Sequence, residues 1–116
     1  MSMKAQIFAA LSALVDGRVF PAPAPERVDK PYITYQRAGG RPINYTDGAV
    51  PNLKNARVQI NVWAVTSAVA DPIAEQVEAA LRGATALQTT VLSEVLDTYD
   101  EETKLRGTMQ DFSFWT

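Results

Sequence analysis

The sequence predicts an α+β domain in which a mainly antiparallel β-sheet is packed by two α-helices. Three observations carry that expectation. Residues 3–15 and 71–83 set apolar side chains at helical spacing. Residues 57–65 and 105–115 alternate between two faces with the period of a strand. Proline and glycine clusters at 21–25 and 39–51 separate these blocks.

In chain order, the first helix covers 3–15. Met3, Ile7, Ala10, Leu11 and Leu14 share one face, Ser2 caps the start, and Asp16-Gly17 supplies a glycine stop. Arg18-Val19-Phe20 is a short extended piece. Pro21, Pro23 and Pro25 then exclude regular helix and make a connecting arm. A proline-motif ligand for a signalling domain is the sharper reading of that arm, but three prolines in a loop usually make only a loop. Tyr32-Ile33-Thr34-Tyr35-Gln36 is β-branched and aromatic, so it is a strand, with Pro31 tolerated at its entrance. Residues 39–55 hold Gly39, Gly40, Pro42, Asp47, Gly48 and Pro51 and form a long exposed loop or loose hairpin.

Arg57 to Val65 is the clearest strand. Val58, Ile60, Val62 and Ala64 point to the core, while Gln59, Asn61 and Trp63 point away. Trp63 on the polar face has two readings of equal weight: it packs on a neighbouring subunit, or a local loop covers it. Asp71-Pro72 opens a second helix as cap and first-turn proline. Ile73, Val77, Ala80 and Leu81 form its apolar stripe, Glu75 and Glu78 lie outside, and Gly83 ends it. Residues 87–99 are β-prone, with Val91, Val95 and Tyr99 in one alternating set. Asp100-Glu101-Glu102-Thr103 is a turn, and Leu105 to Trp115 is the last strand, with Phe112 and Phe114 opposite Trp115. The order is α-β-β-β-α-β-β within one domain spanning all 116 residues.

The chain has no cysteine and no histidine. That removes disulfides, thiol nucleophiles, zinc ribbons, Ser-His-Asp triads and zinc-binding helices of the HExxH type. Carboxylate or lysine catalysis stays formally open. The stretch from Ile7 to Val15 is too short to cross a bilayer, and no signal-peptide pattern follows it. The expectation is a chain that is soluble and intracellular where it is made.

A net charge of −2 conceals a division. Residues 18–57 hold seven bases and three acids, a net +4, whereas residues 58–103 hold one base and eight acids, a net −7. Such a split suits head-to-tail contacts between identical copies, although scattered solvated charge is the commoner meaning. The acidic stretch from Glu94 to Glu102 lacks the glycine turn of a calcium loop. Nothing beside it suggests the sugar cleft of a glycosidase pair. Gly39-Gly40-Arg41 lacks the strand–loop–helix setting and the lysine of a phosphate-binding loop. Arg37, Arg41, Lys54 and Arg57 are too few, in an acidic chain, to indicate sequence-specific nucleic-acid binding.

The order of several short segments says more. The first helix precedes Pro31-Tyr32-Ile33-Thr34-Tyr35-Gln36, and a Gly-rich loop leads to Ala56-Arg57-Val58-Gln59-Ile60-Asn61-Val62-Trp63-Ala64. A helix, Tyr99-Asp100-Glu101-Glu102-Thr103 and Asp111-Phe112-Ser113-Phe114-Trp115 complete the series. Over nearly its full length the chain resembles the tail-completion, or tail-terminator, proteins of long-tailed phages and related gene transfer particles. Glu101 stands where that family often has proline and Lys104 where it often has glycine.

The resemblance implies a structural virion protein of the tail or neck, assembled in the host cytoplasm. Such proteins form a hexameric ring that caps the tail tube, ends its polymerisation and joins the head connector, leaving a channel through which DNA can pass. The implied partners are further copies of the chain, the tail tube protein and the connector or stopper protein. No enzyme activity, cofactor, metal or membrane partner is expected. The candidate subunit or partner interface comprises Arg37, Arg41, Tyr45, Lys54, Arg57, Trp63, Glu94, Asp97, Asp100, Glu101 and Glu102. The basic region is expected to meet the acidic region of the next copy, with Trp63 near the contact, and the 39–55 loop to meet tube or connector. A neighbouring head-closure ring protein is the alternative; a small ligand-binding module or carboxylate enzyme is a more distant one.

Overall fold

A computed structural model describes residues 2–116. Its elements run α1 (Met3–Leu11), β1 (Val19–Pro21), β2 (Tyr32–Arg37), β3 (Asn55–Ala64), α2 (Ser67–Gly83), β4 (Thr90–Val91), β5 (Leu96–Asp100) and β6 (Leu105–Trp115). The strands form one mixed sheet in the order β1-β2-β3-β6-β4, with β5 also paired to β6. All pairings are antiparallel except β1 on β2. The fold is therefore α+β with a mostly antiparallel sheet, as the patterning predicts.

Alternation builds the core. Val58, Ile60, Val62 and Ala64 on β3 face the helices and are buried, as are Ile33 and Tyr35 on β2 and Phe112 and Phe114 on β6. Ile7 and Leu11 of α1 and Ala70, Ile73, Ala74, Val77 and Leu81 of α2 close this core from the other side. Full burial of each phenylalanine is worth roughly 1.5–3 kcal/mol over leaving it exposed. The opposite face of the sheet carries no helix.

Three local readings are corrected. Helix α1 ends at Leu11, and the chain tightens into a 3₁₀ turn over Ser12–Leu14. The Val15 N–H reaches the Ser12 carbonyl, three residues back, and Asp16 and Gly17 take positive φ. The Ser2 cap is present, its hydroxyl accepting from the Ala5 N–H at 3.1 Å.

Helix α2 begins at Ser67, a turn before Asp71-Pro72. Thr66 is extended, and its carbonyl accepts from the Val69 and Ala70 N–H groups, so the helix is already under way. Pro72 then sits in the second turn, where its missing N–H costs one bond of the ladder.

Residues 87–99 do not form a continuous alternating strand. A 3₁₀ turn covers Thr85–Leu87, Gln88 is left-handed, and β4 and β5 are separate. Both pair with β6: Val91 opposes Phe112 and Leu96 opposes Met109. Residues 92–95 therefore bulge opposite Gln110 and Asp111. Buried Gln110 holds the bulge, its Nε2 donating to the Ser93 carbonyl at 3.0 Å and to Glu78 Oε1 at 2.7 Å. Val95 and Tyr99 are exposed as a result, while Val91 packs against the core.

The turn between β5 and β6 also explains the departure at Lys104. That residue adopts φ 59°, the left-handed region glycine favours, while its N–H donates to the Asp100 carbonyl.

Candidate assembly surfaces

Strand register carries the bases around the 38–54 loop and the acidic turn to opposite ends of the sheet, whereas Arg18, Arg27 and Lys30 of the basic region lie at the turn's end. Strands β3 and β6 run side by side from Asn55↔Trp115 to Ala64↔Arg106. The ten residues of β3 span about 33 Å at the usual strand rise. The molecule is elongated, 51 × 26 × 25 Å. Arg37 opposes Val58, so Arg37, Arg41, Lys54 and Arg57 gather at the Asn55 end. Asp100, Glu101 and Glu102 occupy the turn beyond the Ala64 end. Among the candidate residues, the four bases thus share one pole and the three turn acids the other.

The basic pole is the stem of the loop at 38–54. The Ala38 N–H donates to the Arg57 carbonyl, and the Arg57 N–H returns to the Gly39 carbonyl. Lys54 and Thr116 exchange both backbone bonds, which prolongs the β3–β6 ladder. The Asn55 side chain accepts from the Arg41 N–H and donates to Ser113 Oγ and the Phe114 carbonyl. Gly40 lies against the Asn55 carbonyl so closely that any Cβ would collide with it. Arg57 pairs with Asp111 at 2.6 Å, so its charge is largely answered within the chain. Beyond the stem the loop has little to hold it. The Asp47 carboxylate turns the tip by accepting from the Ala49 N–H, while Tyr45, Val50 and Leu53 stand 50%, 78% and 42% exposed.

Glu94 and Asp97 line a cleft of about 500 Å³ between the 92–95 bulge and α2. Asp71, Glu75 and Glu78 join them there. Their spacing of four and three residues puts all three on one helix face, a signal readable in sequence, although only the fold brings Glu94 and Asp97 alongside. The Gln110 hydrogen bond, then Arg82, hold the Glu78 carboxyl below the usual carboxylate range. Among the described residues no three acidic side chains converge as metal ligands.

Trp63 lies on the helix-free face. Its indole N–H donates to Thr34 Oγ1 at 3.3 Å, and its ring lies over Gly107, where a Cβ would come within 2.6 Å of Cε3. It also lines an open groove of about 580 Å³ that sequence reasoning missed. Gln36, Gln59, Asn61 and Thr34 form the floor, the proline arm at 22–30 one wall and the Asp100–Leu105 turn another. Burial, aided by the Asp100 carboxylate, pushes the Tyr32 phenol up at the groove's edge. Arg106 stacks over the Tyr99 ring at 4.4 Å and stiffens the hairpin behind that turn.

Residues 6–116 match the profile of the family Tail completion protein gp17. The chain belongs to the tail completion protein gp17 family. Membership makes it a phage tail structural protein and a virion component, in agreement with the resemblance drawn from segment order. No curated protein matches the chain. No helix among the described residues is long and apolar enough to cross a membrane. This tail completion protein offers charged poles, a projecting loop and an uncovered sheet face.

Proposed function

We propose that the protein assembles into a closed, hexameric ring at the end of the tail tube, stops tube polymerisation there and presents the surface that joins the head connector. Its partners are further copies of itself, the tube protein and the connector or stopper protein. Assembly takes place in the host cytoplasm, and the product sits at the tail–neck junction with DNA passing through its channel.

The observation that carries this reading is that the two ends of β3 and β6 differ, with Arg37, Arg41 and Lys54 around the loop stem at one and Asp100, Glu101 and Glu102 in the turn at the other. A closed ring needs two different, mutually complementary patches on each protomer, because its contact is heterologous. A chain whose two ends present different side chains has that asymmetry.

Native mass spectrometry of the chain, alone and bound to tail tubes, tests the reading. A six-copy mass supports it, and a monomer under both conditions ends it. Reversing Arg37→Glu together with Arg41→Glu weakens ring formation, read as a loss of assembled mass by light scattering. These two residues are chosen because neither guanidinium has an acidic partner among the described residues, unlike Arg57. Images of particles that place the chain on the head side of the connector would transfer it to head closure.

A further inference from the structure

The groove on the helix-free face has a floor suited to polypeptide. Gln36 on β2 stands directly opposite Gln59 on β3, and Thr34 stands opposite Asn61. Among the described residues the amide side chains of Gln36, Gln59 and Asn61 take part in no hydrogen bond. Each amide carries both donors and an acceptor, the complement of an extended backbone. Trp63 and Tyr32 add aromatic surface beside them, a composition typical of protein contacts. Nothing in the lining concentrates one sign of charge as a phosphate or metal site would. The turn contributes Asp100 and Glu102; the proline arm contributes Arg27 and Lys30 with Glu26 between the prolines and the strand.

The same chain carries a segment that matches this groove and does not fill it. The loop at 38–54 exposes Tyr45, Val50 and Leu53, and its residues line a separate hollow of about 470 Å³. Its charges are arranged in the reverse sense to the groove walls. Arg41 and Lys54 lie at its stem and Asp47 at its tip. The stem is pinned to β3 and β6 at the pole opposite the Asp100–Lys104 turn.

We propose that the 38–54 loop of one copy seats in the helix-free groove of a second copy. Tyr45 and Val50 then cover Trp63 and Tyr32, Arg41 and Lys54 face Asp100 and Glu102, and Asp47 faces Arg27 and Lys30. The groove amides hydrogen-bond the loop backbone. The contact is heterologous, since each copy gives a loop at one pole and receives one along its open face. It therefore propagates from copy to copy, and a rotation that closes makes it a ring. This deepens the ring reading and rests on it, and it gives the loop to the neighbouring copy instead of to the tube or connector.

The absence of native cysteine makes the test direct. Val50→Cys places a thiol on the loop and Asn61→Cys places one on the groove floor; both positions avoid the sealed core. Mixing the two proteins with a short bis-maleimide yields a covalent dimer, whereas neither yields one alone. The doubly substituted chain yields a ladder ending at the ring mass. Val50→Cys mixed with Glu75→Cys, exposed on α2 and away from the helix-free face, yields none.

Native mass spectrometry is read on the same samples, free and bound to tail tubes. A ring without the Val50–Asn61 link overturns this inference and leaves the ring standing. A link without a closed ring supports the contact and overturns the ring. Absence of both overturns both. A chain with residues 44–52 replaced by a short glycine linker loses the ring. If it keeps the wild-type ring and fails only in head joining, the loop belongs to the tube or connector and the inference is wrong.

Discussion

The two faces of the sheet are built by the same strands and behave as different materials. On β3, Val58, Ile60 and Val62 lie sealed beneath the helices, while Gln59, Asn61 and Trp63, one residue out of phase, lie in an open groove. The sealed face is dominated by apolar packing, which tolerates little change. The open face carries amides and aromatics whose hydrogen bonds are unmade or shared with a single neighbour. Stability resides on the sealed face, the proposed contact uses the open one, and substitutions separate the two.

The largest expected effect lies on the sealed face. Phe112→Ala removes a fully buried ring packed beside Phe114 and costs about 3–5 kcal/mol, measured by urea unfolding. An equal loss from an open-face substitution such as Asn61→Ala would erase the distinction. Next comes the place where the open face is tightest. Gly107→Ala drives a Cβ into the Trp63 ring and Thr98 Oγ1, costing about 1–3 kcal/mol and moving Trp63 fluorescence as the ring shifts.

A smaller effect sits where α2 meets the sheet. The Glu78 carboxyl is held below its ordinary value of 4.5 by Gln110 and Arg82. Its contribution is therefore fully present above the unfolded-state value and is lost as pH falls through the lower folded one. Glu78→Gln lowers the urea midpoint slightly at neutral pH and flattens its fall below about 4.5, so that variant and wild type converge in acid. A midpoint that falls as steeply in the variant would remove Glu78 from that role. The smallest effect on folding is Val50→Ser at the loop tip, within about 0.5 kcal/mol of wild type. The same change weakens ring formation in light scattering, so it is the cleanest separation of the two faces' roles. A destabilised Val50→Ser chain would show that the tip belongs to the fold.

Much of the fold is legible in the amino-acid sequence, because its long elements carry their own periodicity. Alternation at Val58–Ala64 and at Phe112–Trp115 is local, and a one-residue slip in either strand would turn the core outward. The start of α2 is mislaid because Asp71-Pro72 is a strong local cap signal that competes with Thr66, a favourable cap residue type only five positions earlier. The break at 92–95 is invisible locally because Gln110, eighteen residues from Leu92, holds it. The charge division can be counted from sequence, yet only the register of β1, β2, β3 and β6 shows that it splits, with Arg37, Arg41 and Lys54 far from the acidic turn and Arg27 and Lys30 beside it. The groove is the least legible feature. Its walls come from the proline arm and the β5–β6 turn, which are distant in the chain and meet only through the sheet.

The position of β6 adds a question of timing. It is the last strand in chain order yet lies inside the sheet, paired with β3 along one edge and with β4 and β5 along the other. Until residues 105–115 have left the ribosome, β2–β3 and β4–β5 have no strand in common, and such late, non-local pairing is slow. The same strand braces the turn that walls the groove, and Thr116, just after it, pins the loop stem through Lys54. Both halves of the proposed contact therefore mature together, in the closing step of folding. On that proposal, a chain that lacks β6 offers a second copy neither a braced turn nor a pinned loop stem.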